Sequence, residues 1–151
     1  MNTATQNQDV VTERTYNAPI ATVWKALTDT EQMRQWYFDI AEFKPEVGFE
    51  FSFVAGDDKQ QFLHLCRITA VEPMKKLAYT WAYDIVPDVT TLVTIELFDE
   101  GNNKTRVKLT HQGLDQFAKE DERFAKKNFV QGWEHFIGKA LKNFVEGNAT
   151  A

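Results

Sequence analysis

FAKKNFVQGWEHFIGKALKNFVEG, residues Phe124 to Gly147, is the stretch on which the reading of this chain turns. Its apolar residues Phe129, Trp133, Phe136, Ile137, Ala140, Leu141 and Phe144 recur at spacings of three and four, one stripe of a helix of period 3.6. Lys126, Lys127, Gln131, Glu134, Lys139, Lys142 and Asn143 fall mostly between them, and Gly147-Asn148 reads as the stop. The spacing therefore predicts one long amphipathic helix near the end of the chain, with an aromatic inner face. Such a face needs a broad apolar surface to lie against.

The preceding sequence supplies that surface as strands. Phe49, Phe51 and Phe53 alternate with Glu50 and Ser52, a half-buried strand with three rings on one face. Gly56-Asp57-Asp58-Lys59 is a turn signal, and a strand apolar on both faces runs from about Gln60 to Val71. After a turn at Pro73 to Lys76, Leu77, Tyr79, Trp81 and Tyr83 alternate with Ala78, Thr80 and Ala82. Pro87-Asp88 reads as a break. Thr91, Val93, Ile95 and Leu97 then share one face, and Asp99 to Asn103 forms a hairpin loop. The last strand places Val107, Leu109 and His111 on one side.

Ahead of these, Val10 to Asn17 reads as a strand, ended by Ala18-Pro19. Ile20, Val23, Trp24 and Leu27 form a short amphipathic helix. Asp29 caps a second, with Gln32 at its third position and Met33, Trp36 and Tyr37 on its buried side. Gln112 to about Asp121 is charged and irregular, with Leu114 and Phe117 able to pack, and its acids favour the positive end of the following helix dipole. The order is strand, two short helices, a run of hairpin strands, long helix: an α+β domain with an antiparallel sheet. It spans residues 10–147, with tails at 1–9 and 148–151.

Composition narrows the function. A net charge of -5 and the lack of a basic run argue against nucleic acid and anionic membranes as partners. The single cysteine, Cys66, cannot form an internal disulfide, the polar start lacks a signal peptide, and no apolar run approaches about 18 residues. These point to a cytoplasmic protein. With twelve Phe and four Trp in 151 residues, the supply of large rings is heavy for one core.

The pattern resembles the START-like, or SRPBCC, superfamily with its helix-grip, birch-pollen-allergen-like fold. More narrowly, it resembles the branch named after the activator of the heat-shock protein 90 ATPase. The match is carried by Ala18-Pro19, Val23-Trp24, Leu27-Thr28-Asp29, Trp36, Val47-Gly48, Glu72-Pro73, Leu77 to Trp81, Leu109-Thr110-His111 and Gly132-Trp133. Asp29-Thr30 stands where many relatives have Asp-Pro. The resemblance implies a curved antiparallel sheet wrapped around the C-terminal helix, enclosing a hydrophobic cavity. It also implies a link to stress response and a chaperone as a possible partner, although the chain has no room for the separate N-terminal domain of the eukaryotic activator.

The residues offer two kinds of candidate. The first is a ring set able to line a cavity between helix and sheet: Trp36, Phe49, Phe51, Phe53, Tyr79, Trp81, Tyr83, Phe129, Trp133 and Phe136. The second is His111, facing inward at the end of the last strand. It could hold a ligand carbonyl, act as a base, or be a core histidine satisfied by its own neighbours. Arg14 could face inward too, and pair a ligand's or the protein's own carboxylate. Gly132 either permits close approach to a strand or leaves space for a ligand. Cys66 reads as a small core residue. No metal spacing, phosphate loop or nucleophile elbow is found, so neither metal nor cofactor is expected.

Three functions follow. The leading one is binding of a small hydrophobic or amphipathic ligand by a monomer or homodimer. The alternatives are a co-chaperone-like protein-binding module and a cofactor-free cyclase or hydrolase with His111 as its base.

Overall fold

The computed structural model describes residues 9–37, 40, 42–56, 61–114 and 126–150. Residues 57–59 of the expected turn, residues 115–121 of the charged stretch and the expected helix start at Phe124-Ala125 lie outside them, as does the tail at 1–8. The elements are β1 (Val10–Tyr16), α1 (Ile20–Thr28), α2 (Thr30–Trp36), β2 (Glu50–Gly56), β3 (Gln61–Glu72), β4 (Lys76–Tyr83), β5 (Val86–Gly101), β6 (Lys104–Gln112) and α3 (residues 126–150). The strands form one curved antiparallel sheet in the order β1-β6-β5-β4-β3-β2, with α3 on its inner face. This is the antiparallel α+β arrangement expected from the element order, and the helix-grip fold that the resemblance implies.

Strand alternation places the core as the sequence predicts. Leu77, Tyr79, Trp81 and Tyr83 of β4 are all buried, as are Val93, Ile95 and Leu97 of β5 and Val107, Leu109 and His111 of β6. The ambiguous β3 turns His64, Cys66 and Ile68 inward, and its register shifts between Ile68 and Ala70. Asn102 and Asn103 make the β5–β6 turn at φ of 55° and 59°. Two successive positive φ angles are what a tight hairpin needs, and asparagine tolerates them.

At Pro87 the expectation fails. The turn between β4 and β5 falls at Asp84-Ile85, and the backbone of Pro87 and Asp88 lies within β5. The register explains why this is allowed. Tyr83 pairs with Val86 but Ala82 pairs with Thr90, so residues 87–89 are looped out of the ladder with β4. A proline lacks the N–H a ladder needs, and such an irregularity does not ask for one.

The tandem helices follow local rules. The Asp29 carboxylate accepts from the Gln32 backbone N–H at 3.1 Å, a cap for α2. The buried Trp36 donates its indole N–H to the Ala26 carbonyl at 2.8 Å, tying α2 to α1.

α3 is a continuous helix of three parts: α-helical Lys126–His135, a π-helical turn Phe136–Ala140, and α-helical Leu141–Thr150. It runs through Gly147 and Asn148, where the sequence suggested a stop. Its buried residues are Phe129, Trp133, Ile137, Leu141 and Val145, while Phe136, Ala140 and Phe144 flank them half-buried. Steps of four drift by about 40° each on a regular α-helix of 3.6 residues per turn. The wider π turn, marked by the Leu141 N–H bonding the Phe136 carbonyl, absorbs part of that drift and keeps the row facing the sheet. β1 holds the turn in place: the buried Tyr16 hydroxyl donates to the Ile137 carbonyl, and Arg14 pairs with Glu134. Arg14 therefore binds the protein's own carboxylate.

Candidate functional site

Between α3 and the sheet the rings interlock. Trp81 and Trp133 meet with centroids 5.3 Å apart at 65°, and His111 lies 5.5 Å from Trp81, 5.9 Å from Trp133 and 5.2 Å from Phe129. These are mostly edge-to-face contacts, the favoured geometry for aromatic quadrupoles.

A directed hydrogen-bond chain runs through this cluster. The Trp133 indole N–H donates to His111 Nδ1 at 3.1 Å, and the opposite ring nitrogen, Nε2, lies 2.8 Å from the Thr91 hydroxyl. Indole nitrogen only donates, so Nδ1 is the unprotonated nitrogen and Nε2–H donates to Thr91. The Thr91 hydroxyl passes its own proton to the Trp81 carbonyl at 2.8 Å. His111 is fully buried, and burial lowers its pKa from 6.5 to about 3. Its only basic lone pair points at Trp133. His111 thus sits as a neutral histidine with both nitrogens occupied, the arrangement of a core histidine satisfied by its own neighbours.

His64, which the sequence reading left unassigned, behaves the same way. It is buried against Phe53 with centroids 4.5 Å apart and planes at 14°, and its Nδ1–H donates to the Phe62 carbonyl at 3.0 Å. Burial lowers its pKa to about 4. The Cys66 thiol is buried and its pKa is pushed up by the same desolvation, which keeps it in the thiol form. No cluster of metal-ligating side chains occurs among the described residues. Nor is any described helix long and apolar enough to cross a membrane.

Among the described residues a hollow lies beneath α3. It measures about 110 Å³ and is lined by Trp81, Asn128, Phe129, Gly132, Trp133 and Phe136. Its walls are almost wholly apolar, because the indole N–H groups turn elsewhere: that of Trp133 to His111, and that of Trp81 to the Tyr83 hydroxyl at 2.9 Å. A Cβ built on Gly132 meets nothing within 4 Å, so this glycine leaves space and does not serve a close approach. Larger hollows of about 420 and 830 Å³ lie elsewhere, over the outer side of β2 to β5 and beside the β3–β4 turn. Their rims are open and charged.

The expected ring set is thus divided. Trp81, Phe129, Trp133 and Phe136 line the hollow, with His111 directly behind them. Phe53, Tyr79 and Tyr83 form the next layer on the sheet. Trp36 belongs to the α1–α2 corner, while Phe49 and Phe51 pack on Phe43 at 6.3 and 5.1 Å. Among the described residues these rings pack closely on one another, and the expected cavity has its counterpart in the hollow of about 110 Å³. The sequence reading placed Tyr37 on the buried side of α2 and outside the site. Its ring lies 5.9 Å from Phe53, 6.4 Å from Trp133 and 5.2 Å from Phe136, and so touches sheet and helix alike. The signal for it was its place in the Met33, Trp36, Tyr37 spacing, directly after a tryptophan.

Comparison with known proteins agrees with this geometry. The fold is shared with protein MLL2253 from Mesorhizobium loti, at TM-score 0.76 and 29% identity, over 92% of this chain and 97% of that one. It is shared with protein BH1534 from Bacillus halodurans at TM-score 0.70 and 26% identity, over 91% and 96% of the two chains. Protein CV1439 from Chromobacterium violaceum matches at TM-score 0.76 and 19% identity, over 93% and 98%. Among curated proteins none matches the sequence. Residues 17–146, from the end of β1 to the last turns of α3, match the family described as activator of Hsp90 ATPase homolog 1-like protein, and the chain belongs to that family.

Proposed function

We propose that this domain binds a small apolar molecule, or the apolar end of an amphipathic one, between α3 and the sheet. The carrying observation is the ring-lined hollow of about 110 Å³ whose neighbouring indole N–H groups are all committed elsewhere. Such a wall rewards the burial of apolar surface and offers a polar group nothing. The volume suits one aromatic ring or a short aliphatic branch, since an apolar cavity of about 150 Å³ takes up benzene. The exposed Asn128 beside Gly132 marks the mouth through which a ligand would enter.

Intrinsic tryptophan fluorescence tests this directly, because Trp81 and Trp133 both form the wall. Titration with small aromatic and branched aliphatic molecules is expected to change the emission and raise the melting temperature. Gly132→Leu, which fills the hollow from the helix side, is expected to abolish both effects while keeping the fold by circular dichroism. Ligand responses that survive Gly132→Leu, or a panel that gives none in the parent protein, count against the proposal.

A further inference from the structure

The polar counterpart of the apolar hollow lies one ring further in. The Tyr37 hydroxyl is 2.9 Å from the Tyr79 hydroxyl. Tyr79 is buried, and among the described residues this is its hydroxyl's hydrogen bond; a phenol can donate once and accept twice. The Tyr37 ring completes a seat built by other elements: Trp36 at 4.8 Å on α2, Phe53 on β2, and Trp133 and Phe136 on α3. Trp133 and Phe136 also wall the hollow, so seat and hollow are adjoining.

Tyr37 differs from the rings around it in its attachment. It is the C-cap of α2, with backbone at φ -114° and ψ -135°, outside the helical region. It is half-buried where Tyr79 is buried. Its ring therefore hangs from the end of a helix and not from a strand or a helix interior. Among the described residues the seat is also uncharged. The ionisable groups that bear on the Tyr37 phenol are Tyr79, Cys66 and Tyr83, all kept neutral by burial. Arg14, an inward-facing cation, is committed to Glu134.

We propose that Tyr37 is an internal stand-in for the ligand, and that the ligand is an uncharged hydroxy-aromatic molecule. Its ring replaces that of Tyr37 against Phe53, Trp133 and Phe136, and its hydroxyl takes over the bond to Tyr79. This rests on the reading of the hollow as a ligand site and adds the ligand class and two specificity-determining residues. A carboxylate-bearing ligand is disfavoured by the same seat, because among the described residues no free cation is there to offset its desolvation.

The test compares p-cresol with toluene, which differ by one hydroxyl, by calorimetry and tryptophan fluorescence. The parent protein is expected to bind p-cresol about three- to tenfold more tightly than toluene, the worth of one hydrogen bond. Tyr79→Phe is expected to erase that preference while leaving toluene binding in place. Tyr37→Ala, with no ring to displace, is expected to bind p-cresol more tightly than the parent. Tyr37→Phe, which keeps the packing, is expected to retain the preference for p-cresol and guards against an unfolded alanine variant. Binding of toluene and p-cresol with equal affinity, or a preference that persists in Tyr79→Phe, overturns the inference and leaves the apolar site standing. Failure of every ring to bind the parent and both Tyr37 variants overturns the site as well.

Discussion

The Trp133 indole N–H donates to His111 Nδ1 across 3.1 Å, joining the middle of the last helix to the end of the last strand. Both residues are buried, so water cannot replace the bond if one partner is removed. Trp133→Phe is expected to cost about 3 kcal/mol or more, from lost ring burial together with an unpaired imidazole nitrogen. His111→Leu, by contrast, leaves the Trp133 N–H and Thr91 hydroxyl searching for partners in the same low-dielectric space. Urea denaturation of the two single variants and the double variant gives the coupling energy, and a coupling near zero contradicts the chain of bonds described above.

Stability should depend on pH through two histidines. His64 and His111 have folded-state pKa values lowered by burial to about 4 and about 3, against 6.5 in the unfolded chain. Below pH 6.5 the unfolded state therefore binds more protons than the folded one, and stability falls as pH falls. It is full above about pH 6.5 and declines by about 1.4 kcal/mol per pH unit for each histidine, down toward their folded values. From pH 7 to pH 5 the loss is roughly 4 kcal/mol for the pair. Urea midpoints measured across this range check it, and His111→Gln is expected to halve the slope. An unchanged slope in that variant removes His111 as a contributor.

Gly132→Ala should separate stability from binding. Its new methyl group meets no atom within 4 Å, and alanine is favoured over glycine in a helix interior by about 1 kcal/mol. The variant is expected to melt higher than the parent and to bind small rings more weakly, because the methyl group enters the hollow. A rise in affinity is the contrary outcome.

Tyr16→Phe probes the π turn. Removing the hydroxyl leaves the buried Ile137 carbonyl without that donor, at an expected cost of about 1–3 kcal/mol. Hydrogen exchange is expected to accelerate at the amides of Phe136 to Leu141 more than at those of Phe129 to Trp133. Uniform acceleration along α3 instead denotes global destabilisation only.

What the sequence determined by itself was local. The alternation of Leu77, Tyr79, Trp81 and Tyr83, the cap at Asp29, and the three-and-four spacing from Phe129 to Phe144 each depend on residues close in the chain, and the structure places them as read. Spacing also put His111 on the inner face of β6, though not in contact with Trp133, which lies 22 positions away. Tertiary structure decided the remainder. It placed Pro87 in a looped-out part of β5 because the register with β4 shifts there. It widened α3 at Phe136 to Ala140, where β1 supplies Tyr16. It set the size of the hollow at Gly132, about 110 Å³. The physical reason is that periodicity fixes which way a side chain points, whereas the space left over depends on how rings from distant segments fit against one another at close-packed density.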